Sequence, residues 1–80
     1  MQIGQIIDGI MSELKKAEYK HPGWPEDVIH GAAIMAEEAG EALQASIDCF
    51  YKGDDENFDA LKKELFQTGA MVIRNLLHLE

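Results

Sequence analysis

The chain contains 80 residues, of which 15 are acidic and 7 are lysine or arginine, giving a formal net charge of −8. This charge excludes a protein that binds the phosphate backbone of a nucleic acid polymer, since such binding requires a basic patch. An anionic small molecule such as a nucleotide would also be repelled unless a metal ion accompanied it.

The length predicts one domain, residues 1–80, whose own core is too small to keep it folded without additional stabilisation. A core of this size supplies only about 3–5 kcal/mol, so we expect a homo-oligomer, either a dimer or a dimer of dimers. Cys49 is the only cysteine, which excludes an intrachain disulfide and indicates a buried thiol in a reducing cytoplasm. No signal peptide is recognisable, and no apolar run approaches the ~20 residues of a membrane span, so no membrane contact is expected.

Apolar residues recur at helical spacing throughout the chain. The first predicted helix covers roughly residues 2–18, and its narrow apolar stripe consists of Ile3, Ile6, Ile7, Ile10, Leu14 and Ala17. A loop with the sequence YKHPGWPED follows, in which Pro22, Gly23 and Pro25 break the helical pattern.

The second predicted helix runs from Pro25 to about residue 52, where Gly53 is placed to end it. Its expected core stripe is Val28, Ala32, Met35, Ala39, Leu43, Ile47 and Phe50. Asp54 or Asp55 is expected to cap a third helix over roughly residues 56–78. The apolar stripe of this third helix is Phe58, Leu61, Leu65, Val72 and Leu76. The chain is therefore predicted to be all-α, an antiparallel bundle of about three helices that oligomerisation completes.

The stretch IMAEEAGEALQA, residues 34–45, places Glu37, Glu38 and Glu41 among small and apolar residues with no basic residue beside them. At about 100° per residue, Glu38 and Glu41 lie one turn apart on the same helical face. Uncompensated like charges at this spacing destabilise a helix by about 0.2–0.5 kcal/mol per pair. A hard divalent cation is the simplest reason for keeping these charges together.

Glu64 and Gln67 form a second pair on the third helix, beside its apolar stripe. If the second and third helices pack antiparallel, this pair meets Glu38 and Glu41 near mid-helix. Three carboxylates and one amide oxygen are hard ligands suited to Mg²⁺ or Mn²⁺. A ferritin-like di-iron site is excluded, because neither Glu38 nor Glu64 has the histidine three residues later that such a site needs.

Two short motifs of this chain resemble a known family signature. They are EEAGE at residues 37–41 and ELFQ at residues 64–67, with 22 residues between Glu41 and Glu64. Together they resemble the E-x-x-E…E-x-x-D signature of MazG-like nucleoside triphosphate pyrophosphohydrolases. The resemblance covers roughly residues 24–77. It implies an all-α fold that cleaves a nucleoside triphosphate between the α and β phosphates, releasing nucleoside monophosphate and pyrophosphate. It also implies ligation of Mg²⁺ by Glu38, Glu41 and Glu64. The base that activates the attacking water is then Glu37, Glu38 or Glu41.

Gln67 stands where the family usually has aspartate, so the implied metal site has one negative charge fewer. The amide can still coordinate a metal through its oxygen or hold a water molecule. Two other functions stay open. One is a protein with attenuated catalysis that binds a nucleotide without hydrolysing it. The other is a non-enzymatic acidic helical module whose long second helix serves protein association.

Four further residues are candidates for substrate binding. Trp24 either stacks on a nucleobase or fills the core from its loop. Arg74 either contacts a phosphate or, as an exposed side chain, complements the dipole at the end of the third helix. Asn75 shares the side of the helix that carries Glu64, and His30 lies two turns before Glu37 on one face of the second helix.

Overall fold

The computed structural model describes residues 1–79, which form three α-helices and no strand. Helix α1 spans Ile3–Lys20, α2 spans Val28–Lys52 and α3 spans Asp55–Leu77. The all-α prediction is confirmed. No helix among these residues is both long enough and apolar enough to cross a membrane.

The helix ends follow from local chemistry. The Asp27 carboxylate accepts a hydrogen bond of 2.7 Å from the backbone N–H of His30, so α2 begins at Val28. The prediction that Pro25 begins this helix is wrong, because Asp27 caps the helix after the proline. The other end of α2 is as expected, since Gly53 adopts a φ of 65° that favours glycine.

Asp54 caps α3, as one of the two predicted alternatives. Its carboxylate accepts a hydrogen bond of 2.8 Å from the backbone N–H of Asn57. Because only Gly53 and Asp54 separate α2 from α3, these two helices run antiparallel along each other.

Helix α3 lies between the other two helices and packs against both, whereas the backbones of α1 and α2 do not come close to each other among the described residues. The α1–α3 contact is close because Gly9 faces the Phe66 ring and Gly69 faces the Ile10 side chain. A cleft therefore remains between α1 and α2, lined by residues of all three helices.

The buried core is small and consists mostly of small or flexible side chains: Leu14, Ala42, Cys49, Ala70 and Met71. Alanines at the α2–α3 contact allow the two backbones to approach closely. Trp24 in the α1–α2 loop, with Ile34, Met35 and Ile73, packs around Leu14, Ala70 and Met71.

Most of the large residues in the predicted apolar stripes are exposed. On α2 and α3 these are Val28, Leu43, Ile47, Phe50, Phe58, Leu65, Val72 and Leu76, and on α1 they are Ile3, Ile6 and Ile7. The expected core stripe of α2 is therefore mostly not buried within the single chain, where α2 and α3 meet instead through small residues such as Ala42 and Ala70. Leu43, Leu61 and Leu65 line an open apolar groove between α2 and α3.

The exposed area of the chain is correspondingly large. Its accessible surface is 5942 Å², compared with about 4,800 Å² expected for a folded monomer of this mass. The radius of gyration is 13.3 Å and the longest dimension is 40 Å, whereas about 11.6 Å is expected for the radius of gyration of a compact 80-residue domain. The single chain thus leaves unburied an area comparable to one side of a protein interface.

The α1–α3 contact generates a stability prediction at Gly9. A Cβ atom at this position would lie 2.5 Å from Cζ of Phe66, so Gly9→Ala should lower the free energy of unfolding by about 1–3 kcal/mol through overpacking. Gly4 on the same helix has no atom within 4 Å of such a Cβ. Gly4→Ala should therefore raise the free energy of unfolding, by up to about 1 kcal/mol, through helix propensity. Urea unfolding of both variants checks this, and equal stabilisation by both changes would contradict the contact.

Candidate metal centre

Three glutamates from α2 and α3 converge on one point. Glu38 and Glu41 lie one turn apart on α2, and Glu64 faces them from α3. One carboxylate oxygen of each residue lies within 4.8 Å of the corresponding oxygens of the other two. The antiparallel packing of α2 and α3 thus brings Glu64 to carboxylates that lie 23 and 26 positions before it in the chain.

The cluster concentrates negative charge in a partly buried position. Desolvation, followed by the charges of Glu41 and Glu64, raises the pKa of Glu38 above its ordinary value. Desolvation and then the charge of Glu41 raise the pKa of Glu64. Among residues 1–79, no lysine or arginine forms an ion pair with any of these three carboxylates. The charges of the cluster are therefore not compensated by a salt bridge within the described chain.

Two oxygens of the cluster are also without a hydrogen-bond donor. Oε2 of Glu38 and Oε2 of Glu64 are both buried and accept no hydrogen bond within the described part of the chain. Buried acceptors are normally satisfied, so this pair requires an explanation. A cation between the helices would satisfy both oxygens at once.

The donor set fits a small divalent cation. All three side chains offer hard oxygen ligands, which Mg²⁺ and Mn²⁺ prefer. Neighbouring oxygens in an octahedral Mg²⁺ shell are about 3 Å apart, so the three carboxylate oxygens, which lie within 4.8 Å of one another, must move closer together to bind a single ion.

Gln67 lies beside this cluster rather than away from it. It is half-buried and lines the cleft between α1 and α2, as Glu38 does. The amide thus occupies the position one turn beyond Glu64 that the resemblance assigns to the fourth ligand. Glu37, in contrast, is exposed and its carboxylate is not part of the convergent cluster.

Glu13 on α1 is a carboxylate near the site that the sequence reasoning missed. It is only 8% exposed, lines the same cleft, and its charge contributes to the raised pKa of Glu64. A weak ion pair of 3.5 Å joins it to Lys16. The sequence did carry a signal for this position, because Glu13 falls between Ile10 and Ala17 on the inward stripe of α1.

Arg74 lies outside the carboxylate cluster and fixes the α1–α2 loop. It is 4% exposed, so the interpretation of an exposed arginine at the helix end is wrong. Its Nη2 donates hydrogen bonds of 2.6 Å to the carbonyl of His21 and 3.2 Å to that of Gly23. Its guanidinium carbon lies 4.8 Å from the ring centroid of Trp24, an arrangement that favours a cation–π contact.

The remaining candidates also lie away from the three glutamates. Trp24 packs on the core and stacks on His78, with 5.6 Å between the ring centroids. Nδ2 of Asn75 donates to the carbonyls of Gly31 and Met71, at 3.1 and 3.0 Å, and so ties the start of α2 to α3. His30 is exposed, beside the Asp27 cap.

The chain was compared with models of protein families, with curated proteins and with solved structures, and none of them matches it.

The raised pKa values of Glu38 and Glu64 predict how stability depends on pH. The folded state binds these protons more tightly than the unfolded state, so the free energy of unfolding should rise as pH falls from the raised values toward the ordinary value of 4.5. The double variant Glu38→Gln with Glu41→Gln should lose most of this rise, because it removes Glu38 and the charge of Glu41 beside Glu64, and it should be more stable than the parent at neutral pH. Urea unfolding with a metal chelator, from about pH 8 to about pH 5, measures both effects.

Glu18→Gln is the control, because Glu18 is exposed on α1 and outside the cluster. It should leave the pH dependence of the parent unchanged. Mg²⁺ should raise the melting temperature of the parent and of this control but not that of the double variant. A double variant that responds to Mg²⁺ as the parent does would exclude Glu38 and Glu41 as ligands.

Proposed function

We propose that this protein is a Mg²⁺-dependent nucleoside triphosphate pyrophosphohydrolase of the MazG-like type. It hydrolyses a nucleoside triphosphate to nucleoside monophosphate and pyrophosphate. The observation that carries the proposal is the convergence of Glu38, Glu41 and Glu64, two of which have an unsatisfied buried oxygen, beside a cleft that Glu38 and Gln67 both line. The spacing of these four residues is the spacing on which the family resemblance rests.

In the proposal, Glu38, Glu41 and Glu64 hold Mg²⁺, or Mn²⁺ in its place, and Gln67 contributes its amide oxygen or a hydrogen bond to water. When bound, the cation neutralises phosphate charge and polarises the phosphoryl oxygens. An acidic protein with a net charge of −8 needs such a neutralising group before it binds a polyphosphate.

A glutamate serves as the base in this reaction. Glu37, Glu38 or Glu41 takes a proton from the attacking water, whose oxygen bonds to a phosphorus beside the α–β bridge. The bond between that phosphorus and the bridging oxygen breaks, and the leaving phosphate group takes the electron pair.

The proposal also includes a second copy of the chain on the apolar face of α2 and α3, defined here by Leu43, Ile47, Leu61, Leu65 and Val72. The groove between these helices has a volume of about 440 Å³ and is lined almost wholly by apolar atoms and small side chains. The accessible surface exceeds that of a typical folded monomer by about 1,100 Å², whereas one side of a standard protein interface buries about 800 Å². A homo-oligomer, a dimer or a dimer of dimers, therefore completes the single MazG-like helical domain.

Two specific observations support alternatives. Gln67 in place of a carboxylate favours a nucleotide-binding protein with attenuated catalysis. The exposed apolar face favours a non-enzymatic acidic module that associates with other proteins. We place the protein in the cytoplasm, where nucleoside triphosphates are found and where the Cys49 thiol stays reduced.

Incubation with Mg²⁺ and a panel of ribo- and deoxynucleoside triphosphates tests the activity. We expect pyrophosphate and nucleoside monophosphate as initial products, and a loss of at least about 100-fold in turnover for Glu38→Gln with Glu41→Gln. Orthophosphate as the initial product would contradict the proposed cleavage position.

The variant Gln67→Asp separates an efficient enzyme from an attenuated one. In an attenuated protein, the added carboxylate should raise both Mg²⁺ affinity and turnover, whereas turnover should fall if Gln67 positions the attacking water. Calorimetric titration with Mg²⁺, together with the product assay, distinguishes the two. Unchanged Mg²⁺ affinity would remove Gln67 from the site.

The oligomer is tested by placing charge on the apolar face. Leu43→Asp with Leu65→Asp should lower the molar mass measured by light scattering to that of a monomer of 8.9 kDa, since a buried carboxylate is costly at an interface. Leu77→Asp is the control, because Leu77 is similarly exposed but is rotated on α3 by about 120° from Leu65. A parent chain that is already monomeric would contradict the oligomer.

A further inference from the structure

The cleft between α1 and α2 carries two opposite kinds of charge. Its volume is about 340 Å³, and Ala70 and Met71 of α3 are among the residues that line it. Glu38 lines it on the side of the carboxylate cluster, while Lys16 and Lys20 of α1 and Lys63 of α3 line it elsewhere.

The lysines are concentrated here in a strongly acidic chain. Three of the six lysines in the sequence line this single cleft. Lys16 makes only the weak 3.5 Å pair with Glu13. Within residues 1–79, neither Lys20 nor Lys63 has a carboxylate oxygen within ion-pair distance. Their ammonium groups therefore remain available to an anion in the cleft.

The positive charge of Lys63, in the basic part of the cleft, acts on Glu64 of the carboxylate cluster. Desolvation and Glu41 raise the pKa of Glu64, and the positive charge of Lys63 acts in the opposite direction. A ligand that fits both parts must bind a cation at one end and present several negative charges along its length. A chain of phosphates meets both requirements, because phosphates bind divalent cations and are common ligands of lysine.

We propose that Lys16, Lys20 and Lys63 bind the β and γ phosphates of the substrate, the part that leaves as pyrophosphate. This assignment rests on the proposed function, since it places the α–β bridge at the carboxylate cluster. The three ammonium groups then neutralise negative charge on the β and γ phosphates, which are released as pyrophosphate. The cleft volume is near the lower end of small-molecule sites, about 300–1,000 Å³, so it accommodates the phosphate chain while sugar and base extend beyond it.

A pair of double variants with matched charge tests the assignment. The cleft variant is Lys20→Gln with Lys63→Gln. The control variant is Lys52→Gln with Lys62→Gln, and neither of its lysines lines the cleft. The match is close, because Lys20 and Lys52 both lie in the last turn of a helix and Lys62 adjoins Lys63. Circular dichroism verifies that both variants remain folded.

The probes are inorganic tripolyphosphate and a nucleoside triphosphate, each titrated calorimetrically in excess Mg²⁺. We expect the cleft variant to bind both probes at least about tenfold more weakly, in line with the loss of charge-assisted hydrogen bonds, and the control to change affinity by less than twofold. Lys20→Arg with Lys63→Arg should restore most of the affinity. Mg²⁺ alone should bind the cleft variant about as it binds the parent. A cleft variant indistinguishable from the control overturns the assignment.

The outcomes separate this inference from the proposed enzyme activity. If the parent hydrolyses nucleoside triphosphates but the two double variants behave alike, the activity stands and the lysine assignment fails. If the parent does not hydrolyse them but tripolyphosphate affinity still depends on Lys20 and Lys63, the cleft is a polyphosphate site and the enzyme proposal fails. A parent that neither binds nor hydrolyses the probes overturns both.

Discussion

The packing of α3 between two helices whose backbones stay apart is the constraint on which the rest of this structure depends. It is possible because α3 presents small or flexible residues, among them Gly69, Ala70 and Met71, to its neighbours. Small residues let helix axes approach closely, but they bury little apolar area. The same choice therefore leaves a cleft on one side of α3 and large apolar residues uncovered on the other.

The carboxylate cluster is an unfavourable feature for the stability of this small domain. Glu38 and Glu64 are partly desolvated beside like charges, which destabilises the metal-free chain. The free energy of unfolding of a domain of about 80 residues is only a few kcal/mol. Proteins commonly carry such destabilising arrangements at functional sites, which supports a functional role for this cluster. The proposed cation and the proposed second copy would each offset part of this cost.

Helix number, helix type and most helix ends were predictable from the sequence because they depend on local chemistry. Gly53 and Asp54 act within a few residues of their own positions, and the convergence of Glu38, Glu41 and Glu64 follows from helical periodicity and one short loop. Which face is buried was not predictable in the same way. The sequence showed strong apolar stripes through Leu43 and Leu65, but a stripe reports only that a face avoids water and not whether the same chain covers it. The role of Arg74 was equally hidden, because it depends on loop carbonyls more than 50 positions away.

The separation of the α1 and α2 backbones within the described chain has a mechanical consequence. Because these two backbones do not come close to each other, the width of the cleft depends mainly on how α1 is seated on α3. That seating is fixed at one end by the Arg74 hydrogen bonds to the carbonyls of His21 and Gly23, just beyond the last turn of α1. The opposite end of α1, near Ile3, is largely exposed. Helix α1 is therefore held on α3 from Gly9 and Ile10 to its C-terminal end, and its first turn has the greatest freedom to move.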